Sequence, residues 1–213
     1  MKIYNNFNIK NCHKNSVIAI GNFDGIHKGH KKVLEQAKKK ARNNRIAFGI
    51  VTFEPLPVMF FNSKLKSHRI NSLSQKIKQL KELKIDFLVL IKFNKSFSSL
   101  SADQFIRNII YRKIRSKYVF VSNNFKFGKD RKGNIRTLKK YENIYNYKTI
   151  VTNPLLNVKK VISSSLIRKK ISLSKIKEAN NLLNRNWCVV GKVIKGKKKR
   201  KKNWLSYMQH KFR

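Results

Sequence analysis

Glycine, carboxylate and imidazole side chains crowd into residues 21–30, GNFDGIHKGH, directly after a short apolar run. His27 and His30 are three residues apart at the start of a predicted helix, a spacing that places two imidazoles on one helical face. Gly25 and Gly29 would let the backbone closely approach another segment or a ligand. Because a helix N-terminus offers free N–H groups and positive potential, this stretch predicts a polyphosphate site. The alternative is a tight turn with ordinary surface histidines.

A second candidate segment lies far along the chain, at residues 162–168, ISSSLIR. Its serines favour a helix N-cap, and Arg168 follows one helical turn later. Hydroxyl and guanidinium groups in this arrangement suit the β- and γ-phosphates of a nucleotide. Serine caps are common, so the segment alone predicts an ordinary helix start as readily as a phosphate site.

Strand-like and helix-like segments alternate around these two stretches. Apolar runs predict strands at residues 16–20, 45–53, 85–93, 117–122 and 147–153. Amphipathic stripes predict helices at residues 28–42, 73–83, 101–114, 162–171 and 173–184. Ser101 is the expected cap of the third helix, with Asp103 in its first turn. The alternation indicates βαβ units and an α/β fold with a parallel sheet, in which ligands bind at the carboxyl ends of the strands.

The composition indicates one globular unit. The chain has 213 residues, 41% of them hydrophobic, which is enough to bury a core. No apolar run approaches the length of a membrane span, and the first residues lack the apolar centre of a signal peptide. Cys12 and Cys188 are far apart and match no metal-ligand spacing, so we expect reduced thiols, a cytoplasmic location and no membrane partner.

The charge of the chain is unusually positive, at +42 from 51 Lys+Arg and 9 Asp+Glu. Taken alone, this predicts nucleic-acid binding. The excess is mostly lysine, it accompanies abundant Asn and Ile, whose codons are also A/T-rich, and it is spread along the chain except for a cluster at residues 195–202. We therefore favour a drift of genome composition over selected nucleic-acid binding. Either origin produces a field that attracts anionic ligands such as nucleotides.

Together, the two candidate segments resemble the paired signatures of the adenylyl- and cytidylyltransferase superfamily, G-x-F-D-x-x-H-x-G-H followed by a serine-rich helix start. Three further stretches resemble the bacterial FAD synthetases, the bifunctional riboflavin kinase/FMN adenylyltransferases. They are TFEPLP at 52–57 with Phe60 and Phe61 behind it, SADQF at 101–105, and VSNNFKFGK at 121–129. The resemblance covers roughly residues 15–196. It implies a Rossmann-like nucleotidyltransferase fold with a parallel sheet flanked by helices.

The resemblance implies a role for each matching position. Residues expected to bind ATP are Gly21, Phe23, Asp24, Gly25, Gly29 and Ser163. Residues expected to act on the reacting phosphates are His27, His30, Ser164 and Arg168. Residues expected on the flavin side are Pro55, Pro57, Phe61, Asn124 and Phe125. Plain core packing is the alternative for the phenylalanines, Phe53 included, and a turn position is the alternative for Asn124.

Three positions depart from the family pattern. Leu56 stands where the family has His, Ser122 where it has Gly, and Asn134 where Asp is common. Leu56 removes a polar contact expected near the flavin phosphate, so it bears on substrate affinity more than on the fold.

The reaction implied by the resemblance is direct transfer of an adenylyl group. The 5′-phosphate of FMN attacks the α-phosphorus of ATP in line, FAD forms and pyrophosphate leaves. Since the nucleophile is already an anion, catalysis requires positioning and charge neutralisation and no general base. His27 and His30 would contact the α- and bridging oxygens, and Arg168 and Mg²⁺ the pyrophosphate. No carboxylate cluster predicts a metal site in the protein, so Mg²⁺ is expected to enter with ATP, held by phosphates and water.

The last residues depart from the family. Residues 184–196, NRNWCVVGKVIKG, resemble the first strand of the riboflavin kinase barrel, but the kinase motif G-R-x-x-G-F-P-T-A-N does not follow. We therefore predict an FMN adenylyltransferase domain at residues 1–185 and a truncated kinase remnant with a basic tail at 186–213, without kinase activity in the chain as written.

A poly-A tract that encodes the lysine run KGKKKRKK would favour a frame shift, and a frame shift there would explain why the kinase motif is missing. Permitted codons for residues 202–210, read one base later, encode K-I-G-F-P-T-C-N-I, and the single codons of Trp204 and Met208 force the Gly and the Cys. Slippage that restored the frame would give a bifunctional protein, and a natural stop with a random tail is the alternative.

Three other functions remain as alternatives. They are a sister adenylyltransferase for another phosphate such as phosphopantetheine, a basic nucleic-acid-binding descendant, and an inactive product of a decaying gene. TFEP with the two phenylalanines, together with NNFKFG, favours FMN over phosphopantetheine.

Overall fold

A six-stranded parallel sheet forms the centre of the computed structural model, which describes residues 1–65, 68–157 and 160–191. In chain order the strands are β1 (Lys2–Tyr4), β2 (Val17–Ile20), β3 (Phe48–Glu54), β4 (Phe87–Lys92), β5 (Tyr118–Ser122) and β6 (Lys148–Thr152). Their order across the sheet is β1-β4-β3-β2-β5-β6, with every neighbouring pair parallel. The predicted α/β fold with a parallel sheet is confirmed.

The strand order places a topological switch point beside β2. From β2 the chain moves through β3 to β4 on one side, and it then crosses to β5 and β6 on the other. Val17 of β2 is in register with Phe48 of β3 and with Tyr118 of β5. Because the connections leave in opposite directions, a crevice forms outside the carboxyl ends of β2 and β5, where folds of this kind bind ligands.

Helices cover both faces of the sheet. They are α1 (Lys28–Asn43), α2 (Pro57–Phe61), α3 (Leu73–Glu82), α4 (Lys95–Ser98), α5 (Ala102–Phe105), α6 (Ile135–Lys140), α7 (Glu142–Tyr145), α8 (Ser164–Ser172) and α9 (Ile176–Leu183). Helix α5 continues into a π-helical segment at Ile106–Ile114, and a short antiparallel hairpin, β7 (Leu156–Asn157) and β8 (Lys160–Val161), precedes α8. None of the helices in the described ranges has both the length and the apolar character needed to cross a lipid bilayer.

Side chains of the strands alternate between two apolar layers, as the pleat of a sheet requires. On one face, Ala19 of β2 belongs to a cluster that includes Val33, Leu34 and Ala37 of α1 and Leu80 of α3. On the other face, Ile20 packs in a cluster with the π-helical segment and α6. All four residues of β2 are buried, which explains its continuous apolar run.

Left-handed backbone positions set two element boundaries that periodicity misplaces. The strand predicted at 45–53 begins only at Phe48, because Arg45 (φ 52°) ends the turn after α1. The helix predicted at 173–184 begins only at Ile176, because Ser174 (φ 57°) separates α8 from α9. The predicted cap at Ser101 is confirmed, and its hydroxyl accepts the Gln104 N–H.

Several short elements have no signal in the sequence patterns. Strand β1 has three residues, too few to show a period, and in the described part of the chain it pairs with β4 alone, at the sheet edge. Pro57 begins α2 at a position where a helix does not use the N–H that proline lacks.

Asn134, the departure from the family's Asp, caps α6 by accepting the N–H groups of Arg136 and Thr137. Asn and Asp are equally good caps, so this departure is structurally neutral.

The segment after α9 packs against the same unit. The Trp187 indole Nε1–H donates to the Ile70 carbonyl at 3.0 Å, and Arg185 Nη2 donates to the Gly25 carbonyl at 2.8 Å. The predicted domain boundary after residue 185 falls inside this packed segment and stays a prediction. Residues 192–213, which carry the predicted basic tail and the shifted frame, lie outside the described residues.

Candidate functional site

A cavity of about 330 Å³ opens at the carboxyl ends of β2, β5 and β6. Gly21 after β2, Asn123 after β5 and Asn153 after β6 line it. His27, the N-cap of α1, and Ser163, the N-cap of α8, line it as well. Two helix N-termini therefore meet at the switch point, an arrangement that favours an anionic ligand.

The turn from β2 to α1 holds strained backbone. Phe23 (φ 46°) and Ile26 (φ 39°) are bulky residues in the left-handed region, which such residues rarely adopt. Gly25 (φ 81°) also lies there, and a Cβ at this position would come within 2.9 Å of the Ile70 side chain. Strained residues persist only where their surroundings fix them, and Phe23 and Ile26 are both buried. The turn is thus held rigidly beside the cavity.

His27 and His30 form a stacked pair at the start of α1. Their ring centroids are 3.7 Å apart with an interplanar angle of 20°. His27 precedes the helix as its N-cap, and its Nδ1 accepts the backbone N–H of His30 at 3.3 Å. Because Nδ1 accepts, neutral His27 carries its proton on Nε2. The pair expected on one helical face is therefore brought together by a cap and a stack.

Both imidazoles are uncharged near neutral pH. Burial lowers the pKa of His27 to about 4, helped by the nearby charge of Arg185. Burial, followed by His27 and the charge of Lys76, holds the pKa of His30 well below its usual value. The Nδ1 atom of His30 is enclosed, yet no described residue bonds to it. The pair thus offers unused polar atoms beside the cavity.

Asp24 joins the two sequence segments. Its Oδ1 accepts the Ile70 N–H at 3.0 Å, and its Oδ2 accepts Arg168 Nη1 at 2.8 Å. Its backbone carbonyl accepts the Ser164 hydroxyl at 2.8 Å. Burial raises the pKa of Asp24, although the Ile70 N–H and the charges of Arg168 and Lys76 oppose that shift. The GNFDGIHKGH turn and the ISSSLIR helix are therefore tied together at one buried carboxylate.

Arg168 lies against Asp24 and is not among the residues that line the cavity. Its Nη2 also donates to the Ser165 hydroxyl at 3.3 Å. A guanidinium has five N–H donors, so these two bonds leave others free. Ser163 and Ser164 do line the cavity, and the Ser163 hydroxyl accepts the Leu166 N–H at 3.2 Å.

The residues predicted on the flavin side divide into two groups. Asn124 and Phe125 line the cavity, and Asn124 Oδ1 accepts the Ser122 hydroxyl at 2.9 Å. Ser122, the departure from the family's Gly, thus orients the amide. Phe125 stacks on Phe127 with centroids 5.4 Å apart.

Pro55, Pro57 and Phe61 do not line the cavity. They lie at or in α2, where the Phe61 side chain is 71% exposed and packs edge-on against Phe60 and Phe93. Leu56 is buried at 3% exposure, so an apolar side chain suits this position. The residues predicted on the nucleotide side that line the cavity, together with Phe53, are Gly21, Phe23, His27, Gly29, His30, Ser163 and Ser164. Asp24, Gly25 and Arg168 do not line it.

Two cations in the cavity wall have no predicted role in the sequence. Lys126 and Arg131 are the only Lys, Arg, Asp or Glu among the described residues that line the cavity. Arg131 (φ 57°) follows Asp130 (φ 54°), so two consecutive residues adopt the left-handed region. The family-like stretch extends only to Lys129, and no local pattern indicates that Arg131 reaches the cavity.

The donor set does not form a metal cage. Within the described part of the chain, no group of three or more His, Cys, Asp or Glu residues lies close enough to hold a metal ion. Asp24, the carboxylate nearest to the histidine pair in sequence, is already bonded to Arg168 and to the Ile70 N–H.

A parallel sheet whose switch point opens into a cavity between two helix N-termini is characteristic of the nucleotide-binding α/β proteins. Comparison with protein families narrows this class, because residues 9–166 match the model of the FAD synthetase family. The chain belongs to the FAD synthetase family.

Curated relatives are longer than this chain. The bifunctional riboflavin kinase/FMN adenylyltransferase of Buchnera aphidicola subsp. Schizaphis graminum is 43% identical over 192 residues, which are 90% of this chain and 62% of that protein. The protein of the same description from Escherichia coli K12 is 28% identical over 180 residues, 84% of this chain and 58% of that protein. The chain thus spans about three fifths of the length of these relatives.

A solved structure shares the fold. A crystal structure described as a macrolide-efflux protein from Streptococcus pneumoniae matches with a TM-score of 0.76 and 26% identity, over 87% of this chain and 62% of that chain. The likeness lies in the arrangement of the sheet and helices, and the efflux description belongs to that protein.

Proposed function

We propose that this chain is an FMN adenylyltransferase that makes FAD and pyrophosphate from FMN and ATP. The observation that carries the proposal is the junction at Asp24. In a member of the FAD synthetase family, Asp24 joins the His27–His30 turn to the Ser164–Arg168 helix beside one cavity, through its carboxylate to Arg168 and its backbone carbonyl to Ser164.

The reaction needs no proton abstraction. An oxygen of the FMN 5′-phosphate forms a bond to the α-phosphorus of ATP as the bond to the α–β bridging oxygen breaks. Pyrophosphate leaves with that bonding pair. The task of the protein is to align the two phosphates and to neutralise charge on the transferring and leaving oxygens.

On the nucleotide side, His27 and His30 donate from uncharged rings to the α- and bridging oxygens. An approaching phosphate favours the imidazolium form, so the pKa of each ring rises as ATP binds. Ser163, Ser164 and the N-terminus of α8 receive the phosphate tail. Arg168 supports that tail through the N–H groups that Asp24 and Ser165 leave free. Gly21, Phe23 and Gly29 approach the nucleotide from the cavity wall. Asp24 and Gly25 support ATP binding from behind that wall, through the turn that they hold.

On the acceptor side, Asn124 and Phe125 contact FMN from the cavity wall. Pro55, Pro57 and Phe61 complete the flavin site from α2, which requires the flavin to extend beyond the cavity itself. Exposed aromatic faces such as Phe61 suit stacking on a planar ring system.

ATP enters as its Mg²⁺ complex in this proposal. The described residues form no cage for the ion, so phosphates and water hold it and no step is assigned to a protein-bound metal. The adenylyltransferase unit is residues 1–185, riboflavin kinase activity is not expected of these 213 residues, and a cytoplasmic location stays a prediction.

The test is a product assay with the purified chain, ATP and Mg²⁺, run separately with FMN, riboflavin and phosphopantetheine. FAD is measured by chromatography and pyrophosphate by a coupled assay. We expect equal amounts of FAD and pyrophosphate with FMN, and no FAD with riboflavin. His30→Ala should abolish both products. His13→Ala, on a turn outside the cavity, should keep turnover within about twofold.

Other outcomes distinguish the alternatives. Pyrophosphate release with phosphopantetheine alone would assign a sister activity. Steeply salt-dependent binding of DNA or RNA, without release of pyrophosphate, would favour the nucleic-acid alternative. FAD formed from riboflavin would contradict the expected absence of kinase activity.

A further inference from the structure

A buried lysine lies behind the strained turn. Lys76, in the middle of α3, is only 3% exposed, and its Nζ donates to the Asn22 carbonyl at 3.0 Å. The Thr52 hydroxyl donates to the same oxygen at 3.1 Å. Asn22 lines the cavity, whereas neither Lys76 nor Thr52 does. The two donors therefore hold the turn from the side away from the cavity.

The environment of Lys76 makes its burial costly. Lysine is almost never fully buried unless its charge is paired. In the described part of the chain Lys76 makes no ion pair, and Glu54, the carboxylate that most raises its pKa, pairs with Arg69. Burial outweighs the attraction of Glu54 and Asp24, so the pKa of Lys76 is lowered. A methionine would fill this space without that cost, which indicates a specific role for the ammonium group.

The bond to Asn22 also fixes the next N–H group. In a trans peptide the carbonyl and the following N–H point in opposite directions, so holding the Asn22 carbonyl orients the Phe23 N–H. Phe23 lines the cavity, and its N–H has no acceptor among the described residues. Its positive φ of 46° means that this orientation needs external support.

We propose that Lys76 is a positioning residue of the nucleotide site, whose ammonium group holds the Asn22–Phe23 peptide so that its N–H faces an anionic ligand in the cavity. The inference rests on the proposed function, since it takes that ligand to be ATP. Lys76 also places its charge near His30, where it lowers the pKa of the ring. The lysine therefore acts on the ligand only through the turn and the histidine.

The test compares two lysine-to-methionine variants. Lys76→Met keeps an unbranched side chain, one atom shorter, and removes the donors and the charge. Lys38→Met is the matched control, because Lys38 Nζ also donates to a carbonyl, that of Leu83, at 2.9 Å, outside the cavity. We expect Lys76→Met to raise the KM for ATP about tenfold, with the KM for FMN within about twofold. The pKa of His30, followed by imidazole NMR, should rise. Lys38→Met should change none of these values.

Equal KM values for ATP and equal pKa values of His30 in the two variants would overturn the proposal, even if the wild-type chain makes FAD. If the wild-type chain binds ATP in calorimetry but makes no FAD, the proposed function is contradicted instead. ATP affinity and the His30 titration would still test Lys76 in that case.

If Lys76→Met does not fold, NMR of lysine-labelled wild-type protein provides the test. Lys76→Gln identifies the Nζ resonance of Lys76, because that resonance is missing from its spectrum. In the wild-type protein this resonance should shift on addition of ATP more than that of Lys38. Equal responses of the two lysines would overturn the proposal.

Discussion

The two halves of the proposed site, which includes the cavity and the residues beside it, are built in different ways. The nucleotide half (residues 21–30 and 163–168) is buried and bonded across the fold, as at Asp24, which receives bonds from Ile70, Ser164 and Arg168. The acceptor half (residues 55–61 and 122–131) is more open. Its Phe61 is 71% exposed, and among the described residues the Asn124 amide oxygen accepts only from Ser122, two residues away.

This difference indicates a division of labour. Buried polar groups that are bonded across the fold, as the Asp24 carboxylate is, are rigid, so the turn and the helix that Asp24 joins are arranged before a ligand arrives. The acceptor half offers aromatic faces and the two cations of the cavity wall, Lys126 and Arg131, which are exposed. We infer that the first half determines the reaction and the second selects the phosphate that receives the adenylyl group. Substitutions should therefore affect stability in one half and substrate preference in the other.

The largest expected effect is acid destabilisation through the nucleotide half. The pKa of His27 is about 4 in the folded chain and near 6.5 when unfolded, so the folded state favours the neutral ring. That contribution is fully present above pH 6.5 and is lost as the pH falls towards 4, by about 3 kcal/mol in total. His30, whose pKa is also lowered, acts in the same direction.

Urea unfolding between pH 7 and pH 4 measures this loss. His27→Asn keeps an N-cap acceptor for the His30 N–H and removes the titrating ring, so its stability should fall less steeply over this range. Comparing the two chains cancels the repulsion that acid adds to every basic residue. Parallel curves for wild type and variant would contradict the prediction.

Removing the carboxylate at the junction should have the next largest effect. Asp24→Ala leaves the Ile70 N–H and Arg168 without their acceptor, so we expect a loss of about 2 kcal/mol in the free energy of unfolding. Asp24→Asn should cost less, because an amide oxygen still accepts from Ile70 and burial already disfavours the charge of Asp24. Asn124→Ala, the control in the acceptor half, should leave stability unchanged. Equal losses at Asp24 and Asn124 would contradict the difference between the two halves.

Local signals explain what the sequence predicts well. The continuous apolar run of β2 and the inward stripe of α1, with Val33 and Leu34, follow from burial over a few residues. The proximity of His27 and His30 follows from their three-residue spacing. Packing between residues close in sequence produces a periodic pattern of apolar residues or a fixed spacing. The fold class and half of the candidate site could be predicted from such patterns.

Contacts between distant segments leave no such period. Asp24 and Arg168 are 144 residues apart, and only the strand order brings them together. Helix α3 shows the same limit, because its stripe predicts burial of Leu73, Ile77, Leu80 and Leu83. The structure packs Ile77, Leu80 and Leu83 against the core, as the stripe predicts. It also buries Lys76, whose partner is a carbonyl 54 residues away. Arg131 is likewise placed by two left-handed residues that carry no glycine signal.

The smallest expected effect concerns Arg131 and distinguishes FMN from riboflavin. Arg131→Gln should weaken FMN binding about tenfold, since a charge-assisted bond to its phosphate is lost, and should leave riboflavin binding within about twofold. Flavin fluorescence titration measures both affinities. Arg136→Gln, an exposed arginine of α6 outside the cavity wall, is the matched control and should change neither. If Arg131→Gln weakens the binding of FMN and of riboflavin equally, the residue contacts the ring system. The selection of the phosphate would then have to come from Lys126 or from the nucleotide half.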